Sequence, residues 1–299
     1  MIKIAWDPIY AHPLPEGHRF PMVKYELIPE QLLYEGAISI TNLFSPKPVA
    51  EANILLAHDA MYWEQLRDLT LPAKEQRRIG FPLSAKLVER ELRIAQGTID
   101  GALYALQFGI AFNVAGGTHH AGSNWGEGFC MLNDQAIAAS YLLKKGLVGK
   151  VLTIDLDVYQ GNGTAEIFAN EPRVFTFSMH GEKNFPFRKE NSDLDIGLED
   201  ATNDGIFLGM LRRTLPILLE QEPDFVFYLA GVDVLSSDKL GKLSLSKAAC
   251  KERDRLVLQF CKDHSLPVQV SMGGGYSPAI KDIVDAHCNT FKVGIDIFD

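Results

Sequence analysis

Cysteine is scarce and scattered. Cys130, Cys250, Cys261 and Cys288 form no C-x-x-C pair, which argues against a disulfide framework or a cysteine-based zinc knuckle and points to a reducing compartment. No uninterrupted apolar stretch approaches the ~20 residues that a membrane span needs. The opening MIKIAWDPIY lacks the basic region and apolar run of a signal peptide. Positive charge is in deficit too: 29 basic against 38 acidic residues leave a net charge of −9, which argues against general phosphate-backbone binding. Internal repeats, low-complexity tracts and linkers are absent. The expectation is a soluble, cytoplasmic protein without direct nucleic-acid binding, folded as one domain over 1–299.

What is present is a substantial apolar fraction, 46% of 299 residues, distributed in short buried-looking runs that alternate with helical patterning. Strands are expected at Ile2–Trp6, Gly109–Ala115, Val151–Ile154, Val174–Met179, Asp224–Ala230 and Pro267–Met272. Helical segments are expected at Ile28–Glu35, from Pro48 to about Leu69, at Met131–Lys144, Asn203–Gln221 and Ser246–His264, with another starting at Thr164. Phe81–Leu106 reads as two helices interrupted near Gly97, and the chain closes on the apolar segment Phe291–Ile297. Runs without polar alternation are the mark of a mostly parallel sheet covered on both faces, an α/β fold of three α/β/α layers. The proline-rich stretch from Tyr10 to Met22, with His12 and His18, reads as a surface loop of a length that often covers binding sites.

Four expected strands run into polar or glycine-rich turns: His119–His120, Asp155–Asp157, Asp233 and Gly273–Tyr276. In a parallel sheet such ends converge on one edge, where ligands collect. Asp157 and Asp233, from different strand ends, are candidates to hold one divalent cation, and the residue two beyond Asp157 would be placed to join them. That residue is Tyr159, a poor ligand as a neutral phenol. A histidine is the usual general base, and a carboxylate such as Asp155 behind one of the pair would fix its tautomer. Tyr276 follows three glycines, which let the backbone pass close to a ligand, and its hydroxyl is a candidate oxyanion donor.

Several linked stretches carry a resemblance: HPLPEGHRFPM, GGTHHA, GEGFCMLNDQAIA, IDLDVYQGNGTAEIF, FSMH, AGVD and GGGY, in this order over almost the whole chain. They resemble the histone deacetylase superfamily, in its class IV-like and bacterial deacetylase-like branch. The resemblance implies an arginase/deacetylase-like fold and Zn2+-dependent hydrolysis of an acyl amide on a lysine side chain. By motif, it assigns the zinc to Asp157, residue 159 and Asp233, and general base-then-acid chemistry to His120. His119 would be coupled electrostatically to it and backed by Asp155, with Tyr276 stabilising the tetrahedral oxyanion. Gly128, Phe129, Leu240 and Gly274 would line the substrate tunnel. A K+ site would use Asp155, Asp157, main-chain oxygens near Tyr159, and Ser178 with Met179.

The sequence departs from the family pattern at Tyr159, where DVHQGNG is expected and DVYQGNG stands; Asn162 is a feature of the branch. Tyr159 has three readings. The favoured one is a His-to-Tyr change in an otherwise kept site, preserving the fold and removing most activity. The others are a non-catalytic binder of acyl-lysine or acyl-amines, and an enzyme using phenolate on a harder metal such as ferric iron. A deacetylase of acetylpolyamines or other small acylated amines is an alternative that an acidic tunnel mouth, for instance from Glu16 or Glu127, would favour.

Overall fold

A computed structural model describes all 299 residues. Eight strands form one sheet: β1 (Lys3–Ala5), β2 (Leu43–Phe44), β3 (Ile110–Asn113), β4 (Val151–Asp155), β5 (Val174–Gly181), β6 (Leu194–Leu198), β7 (Phe225–Leu229) and β8 (Val268–Ser271). Every pairing is parallel, in the order β2-β1-β3-β8-β7-β4-β5-β6. All residues of β3, β4, β7 and β8 are buried, as strands covered by helices on both faces require. These are the four strands whose ends carry the candidate residues, and they are consecutive in the middle of the sheet.

Ten α-helices cover the sheet as the outer layers of a three-layer α/β/α arrangement. One group gathers around Ala85–Phe108 and Asp134–Lys144; the other joins Asp204–Leu219, Lys247–Asp263 and Ile280–Phe298 with Lys24–Tyr34. The starts of these helices are written in the sequence. Ser84, Asn133, Asn203 and Ser246 each accept a hydrogen bond from the backbone N–H three residues on, a cap worth about 1 kcal/mol.

One expectation needs correction. Ala85–Phe108 is one continuous helix through Gly97. A side chain at 97 would collide with the Tyr10 hydroxyl and crowd Ala5 and Asn113, so this glycine serves close packing rather than a break. The closing segment Phe291–Ile297 is the end of the 19-residue helix Ile280–Phe298. No helix is long and apolar enough to cross a membrane.

Candidate active site

The loop after β3 is shaped by a buried acid. Asp134, in the first turn of its helix, accepts hydrogen bonds from the Thr118 backbone N–H (2.9 Å), the Thr118 hydroxyl (2.8 Å) and the hydroxyls of Thr98 (2.6 Å) and Ser271 (3.1 Å). Gly116 and Gly117 both have positive φ, and a side chain at 116 would strike Asp134. This turn brings His119 and His120 into the site with ring centroids 4.1 Å apart.

The two imidazoles have different partners. His119 Nδ1 lies 2.6 Å from Asp155 Oδ2. Burial opposes its protonation, but the Asp155 carboxylate outweighs burial and holds the pKa up at about 9. His120 Nδ1 lies 2.7 Å from Asn162 Oδ1, while Asn162 Nδ2 donates to Glu127 Oε1 (2.6 Å). Because the amide nitrogen is committed to Glu127, the oxygen faces His120 and must accept; His120 therefore carries its proton on Nδ1 and presents a free Nε2. Burial, then the neighbouring charge on His119, push the His120 pKa well below the ordinary value. The two environments pull the pair apart, favouring the charged form of His119 and the neutral form of His120. Glu127 is itself held by Arg78 Nε at 2.6 Å.

Opposite them, Asp157 and Asp233 are 1% and 0% exposed. Asp157 Oδ1 accepts from the Tyr159 N–H (3.1 Å) and Oδ2 from the Gly274 N–H (2.8 Å); Asp233 Oδ1 accepts from the Val158 N–H (2.9 Å). Asp233 Oδ2 is buried without any partner. Both Oδ2 atoms border the same space beside Gly274, where a side chain would meet Asp233 first and Asp157 next. Burial and the charge of Asp157 raise the Asp233 pKa well above the carboxylate range. The loops carrying the two acids are tied from behind by the fully buried Arg253, whose Nη1 donates to Leu156 O (3.2 Å) and Gly231 O (2.5 Å) while Nε donates to Asp254 (2.9 Å).

Between the halves is an inner cavity of about 40 Å³, lined by His119, His120, Asp157, Tyr159, Gly274 and Tyr276 among others. It meets an outer cavity of about 470 Å³ at His120, Gly128, Phe129, Tyr159 and Tyr276, which line both. Of the expected tunnel residues, Gly128 and Phe129 therefore border both spaces, Leu240 only the outer and Gly274 only the inner. Phe129 adopts a φ of 69°, rare for a bulky residue, on a turn whose N–H groups at 128 and 129 donate to Arg78 O and Ile79 O. Burial raises the Tyr276 pKa well above that of free phenol, which keeps its hydroxyl a donor.

The expected K+ residues lie at the ends of β4 and β5. Asp155 and Ser178 are register partners on β4 and β5 and line a small cavity together, but Asp157 and Met179 do not line it, and the Ser178 hydroxyl is 2.9 Å from His180 Nδ1. Of the Tyr10–Met22 loop, Phe20 reaches the inner cavity and Arg19 the outer, while Glu16 lines neither. His18 Nε2 is 2.9 Å from Gly80 O, and His12 is buried away from these cavities. Sequence reasoning missed Phe20, Phe185 (which lines the outer cavity edge-on to the His120 ring at 5.1 Å), Arg253, the place of Glu127 behind Asn162, and Lys24. Lys24 is fully buried, donates to Gly273 O at 3.0 Å and lies over the rings of Phe20 and Tyr25. Burial lowers its pKa to about 8 despite the attraction of Asp233 and Asp157. Nothing in its local pattern marks it, since a lysine at a helix start reads as solvated.

Comparison with known proteins gives this site a setting. The histone deacetylase domain family matches residues 18–291. The chain belongs to this family. It is 45% identical over 296 residues to an uncharacterized protein of Picosynechococcus sp., covering 99% of each chain. It is 26% identical to the acetoin utilization protein AcuC of Staphylococcus aureus, covering 90% of this chain and 75% of that one. The crystal structure of an HDAC homolog from Aquifex aeolicus superposes with a TM-score of 0.83 at 25% identity, covering 98% of this chain and 84% of the other.

Histone deacetylase membership implies a metal, and the residues meet that implication halfway. Asp157 and Asp233, with an orphaned buried oxygen and a raised pKa, fit a cation between them. Tyr159 does not fit as the third zinc donor. Burial, then Asp233 and Asp157, push its pKa far above that of free phenol, which disfavours the phenolate a zinc donor would need, and no group of three His, Cys, Asp or Glu side chains converges to hold a metal.

Proposed function

We propose that this chain carries an acyl-amide hydrolase site for acylated lysine side chains, with turnover depressed by Tyr159. The observation that carries the reading is His120, bonded through Nδ1 to Asn162 so that Nε2 is free, lining with Tyr276 the meeting point of a small inner and a larger outer cavity. The acyl group occupies the inner cavity and the lysine stem passes between Gly128, Phe129 and Tyr159.

His120 Nε2 takes a proton from the water that attacks the scissile carbonyl carbon. The Tyr276 hydroxyl donates to the oxyanion that forms as the carbonyl π bond opens. His120 returns the proton to the lysine nitrogen, the C–N bond breaks, and a carboxylic acid and a free amine leave. The imidazolium of His119, fixed by Asp155, keeps His120 neutral before attack and adds positive charge beside the oxyanion. A divalent cation held by Asp157 and Asp233 would supply polarisation of the carbonyl and a lower water pKa. Asp155, Asp157, Ser178 and Met179 are the residues that would contribute to a K+ site.

A second reading is favoured by one observation, the neutral phenol at 159: a protein that binds acylated lysine without turnover. Zinc titration and deacylation of acetyl-lysine peptides, on this chain and on Tyr159→His, separate the two. Under the hydrolase reading the histidine protein gains zinc affinity by more than the ~10–100-fold that outer partners of a ligand are worth, together with turnover. If Tyr159→His takes up zinc and stays inert, the binding reading replaces it.

A further inference from the structure

The outer cavity is ringed by one sign of charge. Arg19, Arg77, Arg78, Lys183 and Lys242 line it, and no Asp or Glu does. The chain as a whole has 29 basic and 38 acidic residues, so five of the minority charge and none of the majority border this mouth. All five side chains are exposed. Two have carboxylate partners: Arg78 with Glu127 at 2.6 Å, and Lys183 with Glu199 at 3.7 Å, the latter pair solvated on both sides. Arg19, Arg77 and Lys242 make no ion pair within 4.0 Å; Arg19 lies over the Phe129 ring at 5.1 Å, and the Lys242 ammonium donates only to Lys183 O. Phe187, 90% exposed, stands on the same rim.

A cationic rim around a concave opening raises the local concentration of anions and repels cations. We infer that the mouth selects an acidic substrate: an acylated lysine whose neighbouring residues in the peptide are aspartate or glutamate, their carboxylates meeting Arg19, Arg77 and Lys242. The inference rests on the reading that the acylated side chain enters through this mouth, so that the flanking residues stay outside at the rim. The same charges disfavour an acetylpolyamine, whose remaining amines would arrive as ammonium groups, and an acyl-lysine set in a lysine- and arginine-rich tail.

Binding tests this without requiring turnover. Fluorescence anisotropy would be recorded for labelled acetyl-lysine peptides with acidic, neutral and basic flanks, for the acidic peptide with unmodified lysine, and with acetylspermidine as competitor. The acidic acetylated peptide is expected to bind about tenfold or more tighter than the basic one at low salt, the margin narrowing as salt screens the exposed charges. The Arg19→Glu/Lys242→Glu double variant should remove or invert the order while leaving the thermal midpoint in place. Equal binding of all three flanks, or preference for the basic peptide or acetylspermidine, overturns the inference. If the acidic peptide binds equally well with and without the acetyl group, charge selection at the mouth stands and the acyl-amide reading of the inner site falls.

Discussion

On one side of the inner cavity the protein answers its own polar groups: His119 leans on Asp155, His120 on Asn162, Asn162 on Glu127, and Glu127 on Arg78. On the other side Asp233 Oδ2 has no hydrogen-bond partner, and a buried phenol, Tyr159, stands where the family resemblance implies an imidazole. The imidazole half is finished with side chains alone, so its protonation states are set by the fold. The carboxylate half holds two buried acids that cannot both ionise side by side, so their protonation depends on what joins them. A change at a single residue on that second side can thus switch chemistry off while the first side stays ready, which is the physical content of reading Tyr159 as a lesion.

The contrast can be broken from either side. The largest effect is expected at Arg253, which holds the two aspartate loops to each other. Arg253→Met leaves Asp254 buried beside only Tyr228 and Thr290, and should cost about 3–5 kcal/mol in urea denaturation; a loss under 1 kcal/mol would mean the loops are set by the sheet instead. Next comes acid. His58 donates from Nδ1 to Gly122 O and accepts the Asn133 N–H on Nε2, bracing the imidazole half from below. Burial lowers its pKa from 6.5 to about 4. The unfolded chain then binds more protons between those values, so stability should fall as pH drops from 6.5 to about 4, by on the order of 3 kcal/mol, and level off below. Denaturation midpoints against pH would record this, and His58→Gln should remove that share of the slope, leaving the share of His120, His180 and His287, whose pKa values burial also lowers. The smallest expected effect sharpens the comparison. In a Tyr159→His background, Glu127→Gln loosens the orientation of Asn162 and should lower kcat about tenfold, and shift its acid limb, with KM little changed. An unchanged pH profile would reduce Glu127 to scaffolding.

The strand ends were legible because each follows a short buried run that the sequence cannot use elsewhere. The sheet margins were not. Leu43–Phe44 is too short to carry a pattern, and LDIGL at Leu194–Leu198 alternates exposed and part-buried positions at an edge. Gly97 looked like a break because a sequence does not reveal that Tyr10 and Asn113 crowd that point. The His pair, the aspartates and Tyr276 could be assembled from adjacency to strands; their pairing with Asn162 and Glu127 could not, since it depends on side chains from separate loops. The mouth was the least visible of all. Its five cations come from residues 19, 77–78, 183 and 242, and each by itself reads as an ordinary solvated charge.

Arg78 belongs to both the rim and the relay. Its Nε holds Glu127, and the same side chain borders the outer cavity. A carboxylate settling at the rim, as inferred above, would draw on the guanidinium charge that faces Glu127. Glu127 would then polarise the Asn162 amide more strongly, and Asn162 the His120 N–H, which would raise the proton affinity of Nε2. Through Arg78 the entrance would act as a dial on the chemistry as well as a filter for it.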